Sequence, residues 1–135
     1  MPSEVAEIVR QSFEAFNARA VDEAVSLFAE DCELLPFRAQ LEGIAYRGHE
    51  GVREFVSDMA EDWNTFRIDP LEVYDRRDRV AVVGRVRALG RASGVEVDSI
   101  AGFLFELHQG RIRSLTSHSN PEQALEALGI RPGIR

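Results

Sequence analysis

Residues 79–119, RVAVVGRVRALGRASGVEVDSIAGFLFELHQGRIRSLTSHS, decide the architecture. Two long runs rich in β-branched and aromatic residues, 79–92 and 95–108, meet at a Ser93–Gly94 turn. Gln109–Gly110 then turns the chain into a third run, RIRSLTSHS. In the second run Val97, Ala101, Phe103, Phe105 and Leu107 share one phase of the two-residue period. That phase is apolar enough to be the core or pocket face. Asp98, Ile100, Gly102 and Leu104 fall in the opposite phase, which directs Asp98 outward unless a bulge intervenes. Three successive strands in hairpin order imply an antiparallel sheet.

Upstream, TFRIDPLEVYD (65–75) continues the strand period with a change of phase. Phe66 and Ile68 share one phase, Leu71 and Val73 the other, so a bulge is expected at Asp69–Pro70. Before that the period is helical. In YRGHEGVREFVSDMAEDW (46–63), Val52, Phe55, Val56, Met59 and Trp63 form one apolar stripe. Glu50 suits the positive end of that helix, and His49 in its first turn reads as exposed. Val5, Ile8, Val9, Phe13 and Phe16 mark an N-terminal helix capped by Ser3. Val21, Ala24, Val25 and Phe28 mark a second, ending near Glu30–Asp31. CELLPF is a short strand whose Pro36 argues for an edge or a bulge; Arg38 follows it, near the expected cavity mouth, and the segment around Gly43 is loop. Downstream, Asn120, Pro121 and Gln123 open a last helix with the stripe Ala124, Leu125, Leu128, and Gly129 ends it. The tail IRPGIR reads as loosely held.

Helices first and long strands afterwards give an α+β class with the helices on one face of an antiparallel sheet: the sheet is curved and the N-terminal helices pack on its concave face. A curled sheet roofed by helices leaves a conical cavity, so a pocket follows from the geometry before any residue has a role. The 135 residues read as one domain with an ordered core of about 3–129, long enough to bury roughly two-thirds of the unfolded surface.

Composition narrows the function. Hydrophobic residues make up 44% and charged residues 29%, as in globular proteins and unlike disordered ones. The net charge of −7 speaks against nucleic acid as a partner. The arginines of 76–91 read as polar positions of a turn and a strand face. No apolar run reaches the ~20 residues of a membrane span, and MPSEVAEIVRQ resembles no signal peptide, so the expected location is cytoplasmic. Cys32 is the single cysteine and reads as packing. His49, His108 and His118 lack metal-ligand spacing, so neither metal nor other cofactor is expected.

The helix pair ending in FAEDCEL, then YRGHEGVREF, SGVEVD and GRIRSLTSHSNPEQALEALG, in that order and spacing, carry a resemblance over nearly the whole chain. It resembles the nuclear-transport-factor-2-like superfamily and, within it, the SnoaL-like polyketide cyclase family. The resemblance implies a cone-shaped, cystatin-like α+β barrel, a pocket between helices and sheet, and homodimers formed through the outer sheet face. It implies no single activity, because the same fold serves cyclases, isomerases, epoxide hydrolases, dehydratases and non-catalytic binding proteins.

Against that background the catalytic sets are incomplete. Ketosteroid isomerases use a helix-borne tyrosine beside a carboxylic acid, whereas Phe13 and Phe16 face inward here. Limonene-type epoxide hydrolases pair an arginine with aspartates. Arg85 and Arg87 have the spacing on one strand, with Asp98 on the next as the only nearby substitute. SnoaL-like cyclases move a proton alpha to a carbonyl without metal, and His118 is the candidate base because its ordinary pKa lies near neutrality. Alternatively His118 is a strand-end histidine bonded to backbone or solvent. Phe16, Tyr46, Trp63, Phe103 and Phe105 are the candidate ligand-binding residues.

The expectation is therefore a cofactor-free, homodimeric protein that holds a small hydrophobic molecule. The alternative is a cofactor-independent isomerase, cyclase, dehydratase or hydrolase with His118 and Asp98 as catalytic residues and Tyr46 or an arginine as donor. Titratable side chains converging within hydrogen-bond reach in the pocket would favour the enzyme. A transport-factor-like interaction module would instead need a further exposed apolar patch.

Overall fold

The computed structural model describes residues 3–130, with the side chain of Arg38 and the tail 131–135 outside the described residues. The three runs of 79–119 form β4 (Arg79–Gly90), β5 (Glu96–His108) and β6 (Arg111–His118). They are preceded by α1 (Glu4–Asn17), α2 (Val21–Ser26), β1 (Phe28–Leu35), α3 (Phe37–Leu41), β2 (Tyr46–Arg47), α4 (Gly48–Asp62) and β3 (Trp63–Arg76), and followed by α5 (Pro121–Ala127). All strands join one sheet in the order β2-β1-β6-β5-β4-β3. The β3–β4 register shifts between Pro70 and Glu72, directly after the Asp69–Pro70 position at which the phase change predicted a bulge. Asn120 caps α5 as expected, its Oδ1 accepting from Glu122 N at 2.9 Å, and Ser3 caps α1 by accepting from Ala6 N at 3.1 Å.

The helices lie where their stripes require. Val9 and Phe13 of α1 join Val80, Val82, Phe103 and Phe105 of the sheet in the main core. Asn17, the last residue of α1, fixes that helix across the sheet. Its Nδ2 donates to Ile68 O at 2.8 Å and its Oδ1 accepts from Ile68 N at 2.9 Å. The amide thereby satisfies the backbone that edge strand β3 would otherwise leave open.

Five local expectations need correction. First, α2 ends at Ser26 and β1 already begins at Phe28. Leu27 and Phe28 fit a helical stripe as well as a strand start, and pairing decides: Ile112 N donates to Leu27 O at 2.9 Å. Second, the sheet is not wholly antiparallel, because β1 runs parallel to β6. Third, α5 packs on the opposite face from the other helices, with Leu125 and Leu128 against Ala81, Val83 and Leu104. Gly102 permits this approach, since a Cβ there would lie 2.8 Å from Pro121 Cα. Fourth, Pro36 lies just beyond β1 at the N-cap of α3, and one turn of helix precedes Gly43. Fifth, His49 is half-buried rather than exposed; its Nε2 lies 2.8 Å from Phe28 O, so the ring donates to that carbonyl.

Candidate ligand cavity

A cavity of about 630 Å³ lies between the concave face of the sheet and helices α1, α3 and α4. That volume falls within the roughly 300–1,000 Å³ of small-molecule sites. Its buried part is aromatic: the Phe13 ring meets Phe103 and Phe105 edge-on, with centroids 5.4 and 5.5 Å away. A connected series of half-buried rings continues the wall. Tyr46 packs against Phe55 at 5.4 Å, Phe55 stacks on Phe16 at 5.5 Å, and Phe16 meets Phe66 at 5.6 Å. Trp63 completes the series at 5.8 Å from Phe66. The rings come from α1, β2, α4 and β3, so the cavity wall depends on the docking of all four elements.

Tyr46 and Asp58 form a hydrogen-bonded pair of titratable groups in this wall. Gly51 positions it, because a Cβ there would lie 2.8 Å from the Tyr46 carbonyl carbon, and its absence lets the first turns of α4 sit down on β2. The Tyr46 hydroxyl then donates to Asp58 Oδ2 at 2.7 Å. Burial first, and then the carboxylate it bonds, push the phenol up to about 12. Tyr46 therefore keeps its proton at any physiological pH. Asp58, Glu61 and Asp62 line the cavity from the C-terminal half of α4, and Glu42 lines it beyond α3. At the α3 edge, Ser117 Oγ accepts from Phe37 N at 2.8 Å, and Gln40 Nε2 donates to Leu35 O and Ser117 O.

Of the residues singled out in the sequence, Phe16, Tyr46, Trp63, Phe103, Phe105 and His118 all belong to the lining. His118 is half-buried, and burial lowers its pKa. Its register partner is Gly102, in the phase that faces α5, whereas Ser117 pairs with Phe103 in the inward phase. Asp98 is not brought to the cavity. It lies exposed on the outer face, where Arg85 binds it bidentately at 2.9 and 2.8 Å. Those hydrogen bonds hold its carboxyl below the usual range. Arg87 likewise pairs with Asp69 at 2.6 Å, so these strand arginines are ion-paired surface groups. Sequence reasoning missed Asp58, Glu61 and Asp62, which read as the solvated side of a helix. The available signal was three acids in the last turns of a helix with no basic residue there. Among the described residues no cluster of His, Cys, Asp and Glu is arranged to hold a metal ion.

Proteins of similar fold are known. A nuclear-transport-factor-2-like protein of Burkholderia pseudomallei K96243 superposes with a TM-score of 0.79 at 20% identity, over 93% of this chain and 97% of that one. TerC, co-crystallised with polyporic acid, gives 0.77 at 19% identity over 94% and 99%. A proposed polyketide cyclase of Xanthomonas campestris pv. campestris gives 0.77 at 19% identity over 89% and 93%. At these identities the likeness establishes the fold. No curated protein matches the sequence significantly. Among the described residues no helix is long and apolar enough to cross a membrane. The family model of the SnoaL-like domain matches residues 9–115, most of the chain, and the protein therefore belongs to the SnoaL-like domain family.

Proposed function

We propose that this SnoaL-like protein binds a small, largely apolar molecule in the cavity between helices and sheet. The observation that carries the proposal is the cavity itself, about 630 Å³ and walled mostly by aromatic and aliphatic side chains. Burying apolar ligand surface there contributes roughly 25 cal/mol per Å², set against the cost of the ligand's lost freedom of motion. The TerC complex supports the size class, since a fold of this kind accompanies a small organic molecule there. Phe16, Tyr46, Trp63, Phe103 and Phe105 would supply the contacts. The protein would act in the cytoplasm without cofactor, as a homodimer through the part of the outer face that α5 leaves open. Exposed Ile100 beside the Arg85–Asp98 pair supports that face.

A second function is favoured by one observation, the Tyr46–Asp58 hydrogen bond in the cavity wall. The Asp58 oxygen that the phenol leaves free, Oδ1, can accept a proton alpha to a carbonyl, as an isomerase or cyclase requires. His118 contributes to the lining as a further titratable group, and Asp98 has no part in it.

Titration with the neutral fluorophore N-phenyl-1-naphthylamine tests binding. Saturable enhancement is expected for the native chain and unchanged for Asp98→Asn. It should be lost in Ala101→Trp, which fills the inward face of β5, while cooperative thermal unfolding persists. Equal enhancement in Ala101→Trp would place the fluorophore elsewhere and refute the proposal. Deuterium exchange alpha to the carbonyl of a bound ketone, abolished by Asp58→Asn, would establish the catalytic alternative.

A further inference from the structure

The charged side chains that line the cavity are of one sign. Glu42, Asp58, Glu61 and Asp62 all reach the lining, and among the described side chains no arginine does. The chain contains no lysine, so arginine is its whole permanent positive complement. Elsewhere on the molecule several acids pair with arginine. Glu33 pairs with Arg47, Asp22 with Arg53, Asp69 with Arg67 and Arg87, and Asp98 with Arg85. Among the described residues Asp58, Glu61 and Asp62 form no ion pair, and the bond that Asp58 accepts comes from an uncharged phenol.

Their placement works against the helix that bears them. Spaced i, i+3 and i+4, the three lie on one side of α4 in its last turns. There the helix dipole presents its negative end, which the Arg91 guanidinium already meets by donating to Ala60 O at 3.2 and 3.1 Å, while like charges four apart repel. A cation held beside the three carboxylates would offset that repulsion. Phe16, Tyr46, Phe55, Trp63 and Phe66 stand beside the carboxylates as a continuous aromatic wall, whose ring faces attract positive charge. The carboxylates are not arranged as a metal site. The cation that suits the place is thus organic, with an apolar body long enough to reach Phe13 and Phe103.

We infer that the cavity selects hydrophobic molecules bearing a protonated amine, the apolar part lying against Phe13, Phe16 and Phe103 and the ammonium facing Asp58, Glu61 and Asp62. The inference rests on the ligand-binding proposal above: the cavity makes the site, and the carboxylates set its charge preference. The net charge of −7 adds long-range attraction for such a cation.

Three probes with one ring system test it on the full chain: 2-naphthylmethylammonium, 2-naphthalenemethanol and 2-naphthoate, each titrated calorimetrically at pH 7. The expected order is ammonium, then alcohol, then carboxylate. The ammonium should bind about tenfold more tightly than the alcohol, the scale of one charge-assisted contact. That ratio should shrink as salt rises and fall towards one in Asp58→Asn/Glu61→Gln/Asp62→Asn. A ratio between two probes on the same variant is insensitive to general loosening of the cavity. Binding of the alcohol with no preference for the ammonium overturns the charge inference and leaves the apolar site standing. A preference that survives the triple substitution overturns it too. Absence of binding by all three probes overturns the site and its selectivity together.

Discussion

Tyr46 illustrates what one side chain reports about its surroundings. Its phenol is pushed from the ordinary 10.0 to about 12 by burial and by the Asp58 carboxylate. The folded protein favours the protonated form, so the stability this contributes is complete below pH 10.0. It is lost as pH climbs through about 12, while the unfolded chain ionises earlier. Absorbance titration should therefore show a phenolate appearing near pH 12 that is missing from Tyr46→Phe. An ionisation near 10.0 for that residue would mean that Asp58 is not its partner in solution. Tyr46 was legible as a pocket residue because it directly precedes an amphipathic helix beside two glycines. Asp58 was not, since an acid on a helix looks solvated until the chain brings something to its side. The outward phase of Asp98 was legible from alternation alone, because β5 carries no bulge between Asp98 and Phe103. His118 is the subtler case. Its place near the pocket could be inferred from order along the chain, yet only its register with Gly102 reveals which phase it occupies.

At the scale of elements, punctuation was legible and partnership was not. Asn120, Pro121 and Gly129 delimit α5 with local chemistry, and the structure follows them. Nothing local says which face of the sheet α5 will cover. That depends on Gly102, Ala81 and Val83, which lie 20 to 40 positions upstream in a strand pattern apolar on both sides. The Cβ argument at Gly102 supplies the test. Gly102→Val would press on Pro121 and Ala124, which stand 2.8 and 3.0 Å from even the first added carbon. Overpacking of this kind costs about 1–3 kcal/mol, to be read as a lowered urea midpoint with an unchanged m-value. Stability equal to the native chain would show that α5 is not seated there. The boundary between α2 and β1 failed for a related reason: Leu27 and Phe28 satisfy either period, and a distant strand chooses between them.

For the whole molecule, the two sides of one sheet differ in character. The inner side stays hollow because helices bridge across it; the outer side is part covered by α5 and part left with Ile100 exposed. Sedimentation equilibrium should give twice the chain mass of 15.1 kDa for the native protein and the single mass for Ile100→Glu. A native monomer would sink the dimer proposal without touching the cavity. The parallel alignment of β1 with β6 has a temporal consequence as well. Phe28 sits opposite Ile112 and Leu34 opposite Leu115, so the early strand finds its long neighbour only after some eighty further residues have been made. On the ribosome the first half of the chain must wait, with its greasy edge unaccompanied, for the last strand to emerge. Such distant pairing belongs to slow folders, in the range of about milliseconds to seconds, and leaves apolar strand surface exposed for that time.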